Sequence, residues 1–327
     1  MRVLITGGAG FIGSHLAEEY LEHGDEVYLI DDLSTGSLEN IRHLQQNENL
    51  SGRLFVTVDT VLNREKMIEL VGTCDVVFHL AAAVGVRFIL DNPLDSIITN
   101  VRGTEMVLEV CHLFKKRVLI ASTSEVYGKH MHAPLVETDN CIYGPSSKFR
   151  WSYAAAKLID EFTALAYHRT KGLPVIVCRL FNTVGPRQSG EYGMVLPRFV
   201  QKALAGEAIT VYGDGTQTRT FTHVRDVVAA FTRLILTQEA YGEVVNVGGV
   251  EEISILRLAE KIREKSGSAS PIHIIPYDQA YPRDFEDMQR RVPSVDKLRQ
   301  LTGFAPTMCL DGILDDVVDH FRKGGPP

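Results

Sequence analysis

Tyr153 and Lys157 stand four residues apart in Ser152-Tyr153-Ala154-Ala155-Ala156-Lys157. On a helix that spacing puts a phenol and an ammonium on one face. A nearby ammonium favours the phenolate, so the pair is expected to lower the phenol's pKa and move protons. A lone match of this kind is common on surfaces; its weight comes from two elements upstream. Ser122-Thr123-Ser124-Glu125-Val126-Tyr127-Gly128 offers three hydroxyls and a carboxylate beyond a strand, where ligands bind in open α/β sheets. A capped polar turn is the plain alternative. Gly7-Gly8-Ala9-Gly10-Phe11-Ile12-Gly13 lies between a strand and a helix. There Gly7 allows a tight turn, Gly10 lets the backbone approach a pyrophosphate, and Gly13 lets helix and strand pack closely. Asp31-Asp32, at the end of the next strand, would accept hydrogen bonds from ribose hydroxyls and repel a 2′-phosphate, which favours NAD over NADP. Asp59 suits an adenine edge or a helix N-cap equally well.

Alternating strand and helix patterns must position these groups. Strands are expected at 2–6, 26–31, 54–58, 75–80, 117–122 and 175–180, with helices at 11–22, 64–71, 92–114 and 152–171. That order predicts an α/β fold, a doubly wound parallel sheet of Rossmann type with a smaller C-terminal substrate-binding region. Residues 1–181, with 222–250 returning to them, are expected to form the dinucleotide-binding domain. Residues 182–221 and 251–327 are expected to form the substrate domain.

The composition narrows the partners. The chain has 327 residues and a net charge of −7, which argues against a nucleic-acid binder. Its most apolar stretch, residues 76–90, is interrupted by His79 and Arg87, so no membrane span is expected. Five cysteines (74, 111, 141, 178 and 309) without a CxxC pair point to a reducing, cytoplasmic setting with no disulfide frame and no metal site.

In these motifs the chain resembles the extended short-chain dehydrogenase/reductases that modify nucleotide sugars. The resemblance runs from Gly7 to about Asp296. It rests on the glycine loop, His79-Leu80-Ala81-Ala82, Asn100-Val101-Arg102-Gly103-Thr104, the 122–128 segment, and Tyr153 with Lys157. Residues 179–187 (Arg-Leu-Phe-Asn-Thr-Val-Gly-Pro-Arg), 211–215 with Arg219, and 224–227 continue it.

The resemblance implies a recycled NAD and a transient 4-keto sugar, with Thr123, Tyr153 and Lys157 as the catalytic set and Glu125 beside them. It implies cofactor contacts from Gly7, Gly10, Phe11, Ile12 and Gly13, and from Asp31, Asp32, Ser34, Thr35 and Gly36. Further cofactor contacts are implied from Asp59 and Thr60, from Leu80, Ala81 and Ala82, and from Asn100, Ser122, Tyr153, Lys157 and Val184. On the substrate side it implies Val84, Ser124, Glu125, Asn182 and Arg187, then Val195, Leu196 and Tyr212. Arg219 and Arg283 are implied to hold the diphosphate, for which bidentate arginine geometry is suited. Dehydratases of this kind carry Asp-Glu after the threonine; Ser124-Glu125 here argues against loss of a 6-hydroxyl. Thr-Ser-Glu resembles UDP-glucuronate decarboxylases, as does Arg150-Trp151-Ser152-Tyr153, although residues 82–87 lack the proline usual in their loop. The first reading is therefore a UDP-glucuronate decarboxylase giving UDP-xylose, a lyase. The alternative is an isomerase, a 4-epimerase of a UDP-hexose or UDP-hexuronate. A non-enzymatic NAD-sensing scaffold is disfavoured, because Tyr153 and Lys157 are both present. In such proteins helices like 92–114 and 152–171 pair across a two-fold, which implies a homodimer.

Overall fold

The computed structural model describes residues 1–85, 89, 91–190, 194–280 and 288–324. Seven strands form one parallel sheet: β1 (Arg2–Thr6), β2 (Glu26–Asp31), β3 (Leu54–Val58), β4 (Val76–His79), β5 (Arg117–Thr123), β6 (Val175–Leu180) and β7 (Val244–Val247). Their order across the sheet is β7-β6-β5-β4-β1-β2-β3, so the chain reverses direction between β1 and β4. Thr6 pairs with Ile30 on one side and His79 on the other, which fixes the carboxyl ends of these strands in register. Both faces of the sheet are covered, which explains why these strands read as apolar runs rather than alternating patterns.

The helices Phe11–Glu22, Glu39–Gln46 and Val224–Leu234 close one face, and the helix Asp296–Thr302 adds Leu298 to that cluster. The helices Arg64–Thr73 and Pro93–Leu113 close the other, joined by Ala164 of the helix Ser152–Lys171. A separate cluster is built by the helices Val195–Leu204, Ile255–Ser266 and Leu310–Arg322. They pack over the parallel strand pair Ile209–Tyr212 and Ile272–Ile275. A small sheet pairs Thr218–Thr220 with Glu252–Ser254 and Arg290–Arg291. Among the described residues no helix is long and apolar enough to cross a membrane.

Most expected elements stand within a residue or two of their expected bounds. The helix Glu39–Gln46 was not expected: its buried residues are only Asn40, Ile41 and Leu44, and no side chain caps it, so the helical signal is short.

Candidate active site

A cleft of about 580 Å³ opens along the carboxyl ends of the central strands, at the reversal between β1 and β4. That is where an open α/β sheet leaves a crevice. The glycine loop forms one wall. A Cβ on Gly13 would lie 2.2 Å from the Gly7 carbonyl oxygen, and one on Gly7 would lie 2.8 Å from the Ala81 nitrogen, so both positions exclude a side chain. Gly10 caps the helix Phe11–Glu22 without a side-chain hydrogen bond, leaving first-turn N–H groups for an anion. These features fit a dinucleotide pyrophosphate.

Of the expected cofactor residues, Gly7, Gly10, Phe11, Ile12, Gly13, Asp31, Asp32, Ser34, Thr35 and Gly36 line the cleft. So do Asp59, Thr60, Leu80, Ala81, Ala82, Ser122 and Tyr153. Asp31 is also a brace: its carboxylate accepts from the Ala9 N–H (3.0 Å) and the Leu33 N–H (2.9 Å), and burial pushes its carboxyl up. A carboxylate has about four acceptor positions, so it can still take a ribose hydroxyl. Asp59 accepts from Thr60 N–H and Asn63 Nδ2, both at 2.7 Å; the N-cap of the next helix is Asn63, so the capping alternative for Asp59 does not hold. Asn100 stands behind the wall: its Oδ1 accepts from Ala83 N–H (2.8 Å) and its Nδ2 donates to Ala83 O (3.1 Å), which shapes the 80–84 loop. Val184 is buried in the third apolar cluster.

The deep end carries the reactive groups. Thr123, Ser124, Glu125 and Tyr153 line it together. Thr123 Oγ1 accepts from Glu125 N–H at 3.2 Å and starts a short 3₁₀ turn, Ser124–Tyr127. The Ser124 hydroxyl is buried without a partner among the described residues, which suits a ligand hydroxyl or carboxylate. Ser122, which lines the cleft as expected, donates its hydroxyl to Glu161, and Arg179 Nη2 holds that carboxylate at 2.8 Å.

Glu125 is the most strongly held acid of the cleft. Arg150 grips it through both terminal nitrogens, Nη1 to Oε2 and Nη2 to Oε1 (3.1 Å), and Arg291 Nη1 lies 3.6 Å from Oε1. Burial alone would push the carboxyl up; the guanidinium groups of Arg150, Arg291 and Arg219 more than offset it and bring it down to about 2. It is a carboxylate at any working pH. The spacing of the chain gave no sign of Arg150 or Arg291 as its partners. Arg291 reaches it only through the pairing of Arg290–Arg291 with Thr218–Thr220.

The expected effect of Lys157 on Tyr153 needs correction. The Lys157 ammonium donates to Asp160 Oδ2 at 2.8 Å, with the two side chains only 2% and 1% exposed. The Tyr153 phenol is pushed up, first by burial, then by the Glu125 and Asp160 carboxylates, against a smaller opposing effect of Arg150. As folded it holds its proton firmly. The i+3 spacing of Asp160 could have signalled this competitor.

Of the expected substrate residues, Val84, Asn182 and Arg187 also line the cleft. The Arg187 guanidinium is engaged by Glu18, His15 Nδ1 and the Asn40 carbonyl (3.3 Å), so it also joins elements that are distant in sequence. Leu196 is fully buried in the third cluster, with Val195 half-buried beside it. Tyr212 packs its ring 4.5 Å from the Arg198 guanidinium. Arg219 is buried, donates to the Thr218 carbonyl at 2.8 Å and acts on Glu125 through its charge. Arg283 and Arg87 lie outside the described residues. Thr183, which lines the cleft with a buried hydroxyl lacking a partner among the described residues, was not singled out from the sequence.

The comparisons with known proteins agree with this geometry. The family model described as GDP-mannose 4,6 dehydratase matches residues 4–317. The UDP-N-acetyl-alpha-D-glucosaminuronate decarboxylase of Bacillus cytotoxicus is 42% identical over 323 residues, covering 98% of each chain. UDP-glucuronic acid decarboxylase 1 of Xenopus tropicalis is 34% identical over 322 residues, 98% of this chain and 72% of that one. The solved structure of UDP-glucuronic acid 4-epimerase from Bacillus cereus, in complex with UDP-glucuronic acid and NAD, superposes with a TM-score of 0.87 at 29% identity over 99% of each chain.

Proposed function

Because the chain belongs to the GDP-mannose 4,6 dehydratase family of extended short-chain dehydrogenase/reductases, we propose that it is an NAD-dependent decarboxylase of a UDP-hexuronate, acting through a 4-keto sugar. UDP-glucuronate, giving UDP-xylose, and its 2-acetamido counterpart are the two substrates the relatives support. The observation that carries this reading is Glu125, held as a carboxylate among Arg150, Arg291 and Arg219 beside Tyr153. Arg291 also lines the cleft, where a guanidinium suits the carboxylate of an acidic sugar.

When bound, NAD supplies the hydride acceptor for C4 and later the donor. The Gly7–Gly13 loop would hold its pyrophosphate, and Asp31 and Asp32 would accept from its ribose hydroxyls. Tyr153 exchanges a proton with the 4-hydroxyl oxygen, and Thr123 and Ser124 offer hydroxyls to the same oxygen or to the carboxylate. The 4-ketone makes the hexuronate a β-keto acid. Breaking the C5–C6 bond releases CO2 and leaves the electron pair in an enolate across C4 and C5. Glu125, ionised throughout, has no proton of its own to give; it would orient a water that protonates C5, and the hydroxide left behind takes its proton back from solvent. Asn182, which lines the cleft, and Arg219 would hold the nucleotide end of the substrate.

The fold similarity to a UDP-glucuronic acid 4-epimerase favours one second reading, return of hydride to the opposite face of an intact sugar. NMR of the products from UDP-glucuronate and from UDP-N-acetylglucosaminuronate, given separately, decides. A UDP-pentose and CO2 support decarboxylation; a hexuronate with an axial 4-hydroxyl overturns it. Tyr153→Phe should lose turnover by about 10³-fold while still binding NAD; wild-type turnover in that variant would refute the role of the phenol. We also propose a homodimer formed through the helices Pro93–Leu113 and Ser152–Lys171, which leave Leu94 (67% exposed), Ile97, Ile159 and Phe162 (65%) on the surface. The five free cysteines fit a cytoplasmic setting.

A further inference from the structure

Arg150 sits in the 3₁₀ turn Phe149–Trp151, immediately before the helix that carries Tyr153. Its guanidinium lies 5.6 Å from the Trp151 ring centroid, and the Lys129 ammonium lies 5.9 Å from the same ring. Tyr143 packs on Trp151 with ring centroids 6.0 Å apart. Its hydroxyl donates to the carbonyl of Val126 at 2.9 Å, one residue beyond Glu125. The acid is thus gripped twice from one aromatic platform, at its carboxylate by Arg150 and at its neighbouring backbone through Tyr143. Arg150 is itself only 5% exposed. A planar, buried, two-pronged donor fixes the rotation of a carboxylate as well as its charge, which a lysine cannot do.

We propose that Arg150 is a positioning residue for the reaction: anchored on Trp151, it fixes the orientation of Glu125 beside Tyr153, so that Glu125 presents a defined oxygen to the water that gives its proton to C5. The proposal rests on the decarboxylase reading. The charged and titratable groups that face Glu125 among the described residues are Arg150 from the turn, Arg291 and Arg219 from the small sheet, and Tyr153 from the helix. Removing Arg150 leaves two cations, so Glu125 stays in place but is freer to rotate and easier to protonate.

The test uses the full-length protein with UDP-glucuronate and UDP-N-acetylglucosaminuronate, and the variants Arg150→Met, Arg150→Lys, Glu125→Gln and the double variant. Arg150→Met should lower kcat by about 100-fold with KM changed less than about 3-fold. Arg150→Lys should recover only part of kcat, because a lysine supplies the charge without the two-pronged grip. In the Glu125→Gln background Arg150→Met should cost no further activity, because the group it positions is gone. Reduced cofactor, seen by its absorbance near 340 nm, should accumulate in Arg150→Met as C5 protonation falls behind. A kcat for Arg150→Met within about 3-fold of wild type, or a loss that adds in full to that of Glu125→Gln, would overturn the assignment. CO2 release by the wild-type protein is read in the same series; its absence defeats the decarboxylase reading, whereas an additive loss with CO2 release intact defeats only the role of Arg150.

Discussion

Acidification should destabilise this protein well above the usual carboxylate range, and His79 offers the clearest measurement. The ring lies at the end of β4, 2% exposed, with Nδ1 2.8 Å from Thr6 Oγ1 and Nε2 3.1 Å from Thr104 Oγ1. Both nitrogens are served by hydroxyls, which can donate to one and accept from the other only while the imidazole is neutral. Burial first, then the Lys157 ammonium, takes its pKa from 6.5 down to about 3. The folded value is depressed, so the stability this neutral ring confers is fully present above 6.5 and is lost as the pH falls toward 3. Over that window the unfolded chain gains a proton that the folded one refuses, worth about 1.4 kcal/mol for each pH unit. From pH 7.5 to 5 the loss is about 2 kcal/mol from His79. His15, also lowered to about 3 by burial and then by Arg187, adds a similar amount. Urea unfolding at pH 7.5, 6 and 5, followed by the fluorescence of the single tryptophan, measures the sum. His79→Gln keeps a donor and an acceptor but cannot titrate, so its stability should fall by about 2 kcal/mol less than wild type over the same range. Raised acids such as Asp31 and Asp160 cancel in that difference. Parallel pH slopes for the two proteins would refute the reasoning, since they would mean that His79 takes its proton without unfolding.

Two other substitutions probe the cleft. Asp160→Asn strips the buried Lys157 ammonium of its counter-charge and should cost about 3–5 kcal/mol of stability, read by urea unfolding. The same change removes a carboxylate that pushes the Tyr153 phenol up, so the limb of the kcat profile set by that phenol should move to lower pH. Gly13→Ala places a Cβ 2.2 Å from the Gly7 carbonyl oxygen, both of them backbone-bound, and should weaken NAD binding by at least about 10-fold in a fluorescence titration while leaving the β5–β6 region folded.

The sheet was legible in the sequence because parallel strands buried on both faces must be apolar throughout, as Val3, Leu4 and Ile5 are. The helix Ser152–Lys171 was legible to the residue because Gly172, at φ 68°, ends it in a left-handed cap. Reactive groups that share one local element, such as Thr123 with Glu125 or Tyr153 with Lys157, could be read from spacing. What could not be read is which charge wins between elements. Lys157 faces both Tyr153 and Asp160 by helical geometry, and only the packing shows that the carboxylate holds it. Arg291 meets Glu125 across a strand pairing far apart in sequence, and Arg187, expected on the substrate side, also joins elements distant in sequence.

That joint has a consequence for assembly. Arg187 N–H donates to His320 Nε2 at 3.2 Å, and the His15 ring, through Nε2, meets the Pro186 carbonyl at 2.9 Å. The helix at the mouth of the glycine loop is thereby buckled, through residues 186 and 187, to the helix Leu310–Arg322. During synthesis on the ribosome the glycine loop emerges ahead of the helix Leu310–Arg322, so its buckle closes only after some three hundred further residues have followed. The nucleotide cradle of a nascent chain therefore lacks this brace until that helix has joined it.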